Sequence, residues 1–426
     1  MLFLSFRLLC CFQFQCVRFV PLRVLILRGS GFWVVPFVLV VKNTHAKSLD
    51  GFDLIAIEKP RVLGKANSYL SEEPRTVTFS HCERSAGGRH DYYSEGDYWW
   101  PDPENPEGPF IRRDGETYPE LFLDHRQAMI RLSEIVGTLT SAYIVTKDEQ
   151  YATHAVKHLE AWFVQSSTKM NPSLLYGQAI QGRYEGRSIG VIDTLHLTEV
   201  ARSAKILCSS PSFPTKSQAG VRQWFQTYLT WINTHEYGIR EKNHPNNHGV
   251  CWSLQAASFA DFVGDEEILQ WIREQFQSVY LQEMMDDSGG FPAELARTKP
   301  YGYSLFVIDA MAGVAQVAST EGNNLWAFQL PDGRGMHRGI EFIVPYIEDK
   351  SSWPYPKDIM YWKEWPVRHP SLLFAGLHYE DPHYLHVWKN LEADPETFEV
   401  KRNLPLRHPL LWVSGNEGDS VSGTGL

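Results

Sequence analysis

The sequence predicts an all-α protein, an (α/α) toroid formed as an incomplete barrel of helical hairpins behind a long loop-rich N-terminal segment. Three observations predict it. From Glu116 onward apolar residues recur with helical spacing, over 120–144, 148–166, 188–208, 216–234, 248–264, 266–284, 303–319, 336–348, 370–378 and 383–392. The links between these stretches are short and carry Gly, Pro, Asn and Asp, which makes neighbouring helices antiparallel. Strand-like alternation is scarce. An even succession of such hairpins in a chain of 426 residues buries a large core most simply by closing on itself.

The first 47 residues differ from the rest. They are apolar, contain no acid and are punctuated by Arg7, Arg18, Arg23 and Arg28. An apolar run over 31–41 leads to Thr44-His45-Ala46, the layout of a secretory signal peptide, with residues before about 22 reading as a mis-assigned start. The expectation is a periplasmic or secreted protein with no stable membrane insertion after processing. A single catalytic domain is expected over 48–415, with a disordered tail at 416–426. Residues 48–115 read as loop-rich, and Pro101, Pro103, Pro106 and Pro109 exclude a long helix or central strand over 94–109.

Composition narrows the partners. The net charge is −10, and no long basic run lies outside the N-terminus, so a nucleic-acid partner is not expected. The chain holds 14 Trp, 19 Tyr and 23 Phe, many beside polar residues. Tyr98-Trp99-Trp100-Pro101 is the densest such group, and its rings suit stacking on sugars. The six cysteines match no metal spacing and indicate no disulfide framework.

Three polar clusters carry candidate chemistry. The first is Lys242-Asn243-His244-Pro245-Asn246-Asn247-His248-Gly249, directly before an apolar helical run. Asn246 or Asn247 caps that helix, and the free N–H groups at its mouth favour an anion. The second is Glu294-Leu295-Ala296-Arg297-Thr298-Lys299-Pro300-Tyr301-Gly302-Tyr303. Arg297 suits a carboxylate, and a tyrosine near Arg297 and Lys299 suits proton transfer. The third runs from Gly177 to Thr194. It lacks the features of a phosphate loop but offers Gln178 and Arg187 to sugar hydroxyls or carboxylates. Pro245 keeps His244 and His248 off one helical turn, and Asp286-Asp287 reads as a helix terminus, so neither metal nor cofactor is expected.

Taken in order, Tyr98-Trp99-Trp100-Pro101-Asp102-Pro103, the Gly177–Thr194 segment, Asn246-Asn247-His248-Gly249 with Trp252, and Glu294-Leu295-Ala296-Arg297 with Tyr301-Gly302-Tyr303 resemble the alginate lyase domain family. The resemblance spans roughly residues 90–390. It implies an (α/α) toroid that cleaves an anionic polysaccharide of uronic acids by β-elimination. In that family an Asn-His pair, an Arg and a Tyr form the active site, and these match Asn247, His248, Arg297 and Tyr303. Tyr98, Trp99, Trp100, Gln178, Arg187, Asn246, Lys299 and Tyr301 are placed with the substrate. The stretch between Arg297 and the final tyrosine is shorter than in the best-known branch, which fits a side branch acting on alginate, glucuronan or related polyuronates. The chemistry suits these residues. Asn247 and Arg297 neutralise the carboxylate as charge develops, His248 or Tyr303 removes H5, and Tyr303 protonates O4. A hydrolase would instead need two carboxylates flanking the bond, with Glu185, Asp193 and Glu294 the candidates.

Overall fold

The computed structural model describes residues 51–413, and their helices form an (α/α) toroid. In chain order these are α1 (Leu54–Tyr69), α2 (Asp124–Thr146), α3 (Glu149–Phe163), α4 (Leu197–Leu207), α5 (Thr215–Thr234), α6 (Glu236–Lys242), α7 (Asn247–Val263), α8 (Glu266–Gln275), α9 (Pro292–Leu295), α10 (Pro300–Ala318), α11 (Met336–Glu348), α12 (Pro370–His378), α13 (Pro382–Asn390), α14 (Phe398–Arg402) and α15 (Leu410–Val413). Helices α2, α4, α7, α10 and α12 pack one against the next as an inner series. Helices α1, α3, α5, α8, α11 and α13 pack outside them, each against the inner helix it adjoins in sequence. The signal-peptide reading of 1–47 and the tail at 416–426 lie outside the described residues.

Sequence sets the two layers. In α10 only Gly302, Gln316 and Val317 escape burial, whereas in α8 only Leu269, Ile272 and Arg273 are buried. A helix apolar all round belongs inside, and one with a single apolar stripe belongs at the rim. Both α2 and α10 are long and apolar enough to cross a membrane, yet 72% and 89% of their apolar windows are buried within the protein, as befits core helices. Proline at the first position opens α10, α12 and α13, where its missing N–H costs nothing. Asp265 caps α8 through its side chain, and Gly264, at φ 86°, closes α7 in the left-handed conformation.

Four expectations are corrected. Residues 54–69 are helical, not loop. Their buried stripe is Leu54, Glu58, Val62, Ala66 and Tyr69, and both the Glu58 carboxylate on it and Pro60 inside the helix disguise the pattern. The stretch 188–208 is two elements, a 3₁₀ run over Ser188–His196 and then α4. The end of the 266–284 helix unwinds into π turns over Phe276–Met284. The short α6, which carries a site residue, is an additional helix between the expected 216–234 and 248–264.

The strands are few. β1 (Tyr93–Glu95) pairs in parallel with β4 (Tyr176–Ala179), and β2 (Trp99–Trp100) pairs antiparallel with β3 (Ile111–Arg112). The first pair fastens the aromatic segment to the Gly177–Thr194 segment. The second forms a flap that carries Trp99 and Arg112 to a cleft whose other walls include the mouths of α7 and α10.

Candidate active site

The mouth of α7 is fixed by side chains around it. Asn246 is the N-cap, and its carboxamide oxygen accepts the His248 backbone N–H at 3.1 Å. Asn247 donates its backbone N–H and its side-chain Nδ2 to the two oxygens of Glu294, each at 2.7 Å. One N–H and the carbonyl oxygen of its carboxamide remain for a ligand. Burial raises the Glu294 pKa against the opposing hydrogen bonds of Asn247 and the charge of Arg297. The Tyr280 hydroxyl, placed by the π turns, donates to the carbonyl of Gly249 at 3.0 Å and steadies the first turn of α7.

His248 is set by α6. Its Nδ1 lies 2.5 Å from Oε1 of Glu241, a fully buried residue. A carboxylate only accepts, so Nδ1 carries a proton, and Nε2 is the ring nitrogen left without a partner among the described residues.

The mouth of α10 supplies the other half. Arg297 Nη2 donates to the Tyr303 hydroxyl at 3.3 Å, and the guanidinium stands 4.5 Å from that ring. The Tyr98 and Tyr303 hydroxyls are 2.9 Å apart. Lys299 Nζ, 2.6 Å from Glu399, also donates to the Tyr98 hydroxyl at 2.9 Å, and Arg402 Nη2 does so at 3.4 Å. Burial lifts the Tyr303 pKa well above the ordinary phenol value. Tyr98 adds to that rise, and Lys299 and Arg297 oppose it. Tyr303 is therefore a phenol at neutral pH, ready to give a proton.

These groups line one cleft of about 370 Å³, together with Tyr98, Trp99, Gln178, Arg187, Asn246, His244, Phe306 and Arg402. Of the substrate-facing residues expected from the sequence, four are placed differently. Trp100 points away from the cleft, because consecutive strand residues face opposite sides. It packs on Tyr118 and donates to the Glu116 carbonyl. Tyr301 is fully buried, donates to the Tyr346 carbonyl and packs on Trp353 and Trp362, so it is a core residue. Lys299 lies behind the tyrosine pair, bound to Glu399. Gln178 lines the cleft, but its side chain is spent: Nε2 donates to Asp193, and Oε1 accepts from Arg187. It holds Arg187 in place, from an unusual left-handed backbone at φ 49°. Arg187 has no ion-pair partner among the described residues, and burial lowers its pKa.

Several residues of the site were not picked out from the sequence. Glu241 lies just before the polar stretch that begins at Lys242, on the separate α6. Asp97 and Arg126 form, with the hydrolase candidate Asp193, a buried ion cluster lining the cleft, with Arg126 2.6 Å from Asp97 and 3.2 Å from Asp193. Arg402 joins it from α14, 2.5 Å from Asp97. Of the hydrolase candidates, Asp193 and Glu294 are committed to these contacts, and Glu185 is exposed. Among the described residues, no group of three or more His, Cys, Asp or Glu is arranged to hold a metal ion.

The model of the alginate lyase family matches residues 77–353. An alginate lyase from Bacteroides ovatus of solved structure is 31% identical, over 84% of this chain and 93% of that one, with a TM-score of 0.74. A variant of alginate lyase A1-III complexed with a tetrasaccharide is 14% identical over 85% and 95% of the two chains, with a TM-score of 0.52, a likeness of fold alone. No curated protein sequence matches the chain.

Proposed function

The chain belongs to the alginate lyase family and is a polysaccharide lyase, and from that premise we propose that it cleaves an alginate-type polyuronate by β-elimination at the cleft shared by Asn247, His248, Arg297 and Tyr303. The observation that carries this reading is that one cleft brings together His248, held at Nδ1 by Glu241 with Nε2 unpartnered among the described residues, and the phenol of Tyr303 beside a cationic Arg297. Arg297 and Asn247 meet the uronate carboxylate, and their bonds strengthen as the C5 carbanion delocalises into it. A base removes H5, the C4–O4 bond breaks, and a C4=C5 double bond forms. The O4 oxygen leaves with the neighbouring sugar and takes the Tyr303 proton.

Stereochemistry divides the labour. In guluronate, H5 and O4 lie on opposite faces, and His248 Nε2 is the base. In mannuronate and glucuronate they share a face, and Tyr303 serves as both base and acid. That second route needs a phenolate, whose cost Arg297 and Lys299 lower. Arg187 and Trp99 supply a cation and a ring for a neighbouring sugar. The test is incubation with polymannuronate, polyguluronate and glucuronan. Ultraviolet absorbance of an unsaturated uronate is expected from at least one. New reducing ends without that absorbance would mean hydrolysis.

The site of action we propose is outside the cytoplasm, supported by the Arg-flanked apolar run ending near Ala46. N-terminal sequencing of exported protein is expected to begin near Lys47, and an intact N-terminus retained in the cytoplasm contradicts it.

A further inference from the structure

Asp114 stands on the flap just after β3, and its carboxylate is saturated. Oδ1 accepts from Arg297 Nη2 at 3.0 Å and from Arg112 Nη2 at 2.5 Å. Oδ2 accepts from Arg297 Nε at 3.2 Å and from the Thr298 hydroxyl at 3.0 Å. The approach is built into the backbone. Gly115 has φ +80°, and a Cβ there would lie 2.4 Å from Thr298 Oγ1. Burial opposes ionisation of Asp114, but the hydrogen bonds and charge of Arg297, then of Arg112, prevail and hold its pKa at about 2.

The donors of Arg297 can be counted. The Nε edge and one Nη2 hydrogen go to Asp114, and the other Nη2 hydrogen goes to Tyr303. Nη1, with two hydrogens, has no partner among the described residues. A guanidinium held along one edge presents the opposite edge at a fixed angle. We infer that Asp114 is a positioning residue for the elimination: it grips Arg297 by its Nε edge so that Nη1 faces the uronate carboxylate, and it thereby makes the flap a working part of the site. This rests on reading Arg297 as the carboxylate binder. Both members of the pair are about a quarter exposed, with side-chain accessibilities of 22% and 24%. A pair so largely covered also contributes to stability, as the depressed Asp114 pKa requires, so its effect on geometry is read from kinetics of the folded enzyme.

The experiment is steady-state kinetics of Asp114→Asn, alone and combined with Arg297→Lys, on the most active polyuronate. Misplacement of a binding group by a fraction of its length lowers rate by about 10²-fold, and a fall of that order in kcat/KM is expected at temperatures where the variant, with a somewhat lower Tm, remains fully folded. Asp114→Glu should recover part of it. Thr298→Val, which loses only the flap's hydroxyl bond, should keep most activity. In the Arg297→Lys background Asp114→Asn should add almost nothing, because the two act as one unit. Unchanged kinetics for Asp114→Asn, or an equal loss in both backgrounds, overturns the inference. So does a lower KM at constant kcat, which would mean that Asp114 competes with the substrate for Arg297. If Arg297→Lys alone is fully active, it is the reading of Arg297 that fails, whatever Asp114 does.

Discussion

The hydroxyl of Tyr98 lies 2.9 Å from that of Tyr303, and the donors around the pair fix which gives its proton to which. Tyr98 already accepts from Lys299 and Arg402, so its own hydrogen goes to Tyr303. Tyr303 accepts that bond and one from Arg297, which leaves the Tyr303 proton as the one without a protein acceptor. Removing a proton-transfer group costs about 10²–10⁴-fold in rate. Tyr303→Phe should fall that far on every substrate while still folding and binding. Tyr301→Phe should keep its activity and lose stability of about 1–3 kcal/mol, since the Tyr346 carbonyl loses its buried donor. Kinetics and thermal melts of the two variants check this.

Glu241 fixes which nitrogen of His248 faces the cleft. Glu241→Gln offers either an amide oxygen or an amide N–H to Nδ1 and loosens the tautomer. Turnover of guluronate-rich substrate should drop by roughly 10²-fold, the low end of what a positioned base contributes. Turnover of mannuronate-rich substrate should drop much less. Equal losses on both would show that Glu241 supports the fold of the site rather than the base.

Trp99 and Trp100 separate binding from folding. Trp99→Ala should raise KM or weaken oligosaccharide binding with little change in Tm. Trp100→Ala should lower Tm, through the lost Tyr118, Arg113 and Glu116 contacts, and leave affinity alone. The reverse pattern would place the wrong tryptophan at the sugar.

Which parts of this were legible in the sequence follows from distance along the chain. Asn247, His248, Arg297 and Tyr303 were legible because each lies in a polar cluster at the mouth of an apolar helix. Tyr301 misled because it has the same side chain two residues away, and two residues turn a helix by about 200°, onto the opposite face. Trp100 misled for the matching reason in a strand. Glu241, Arg402 and Asp114 were hidden because each comes from another element, and only the fold brings it to the site. The toroid was legible in the periodicity of α2 to α13. Its first helix was not, because Glu58 interrupts the apolar stripe and is satisfied only by Arg61 and Arg368, the latter from a distant loop.

Glu134 offers a test of the packing behind the cleft. Burial raises its pKa, but Arg407 at 2.7 Å, with Arg131 and Lys401, prevails and holds it at about 2. A depressed carboxylate stabilises the fold fully above its ordinary value near 4.5 and loses that contribution as pH falls towards 2. Glu134→Gln should therefore cost roughly 2 kcal/mol at pH 7 and progressively less between pH 4.5 and 2. Denaturant melts across that range check the sign, and a cost that grows on acidification contradicts it.

The central claim is that one cleft holds two proton-transfer groups with different stereochemical duties. The most direct measurement is the initial rate of unsaturated-uronate formation by His248→Ala on polyguluronate and on polymannuronate, with Tyr303→Phe beside it. The account predicts that His248→Ala loses far more on polyguluronate than on polymannuronate, while Tyr303→Phe is lost on both. A His248→Ala enzyme that keeps its polyguluronate rate, or a Tyr303→Phe enzyme that keeps either, would contradict it.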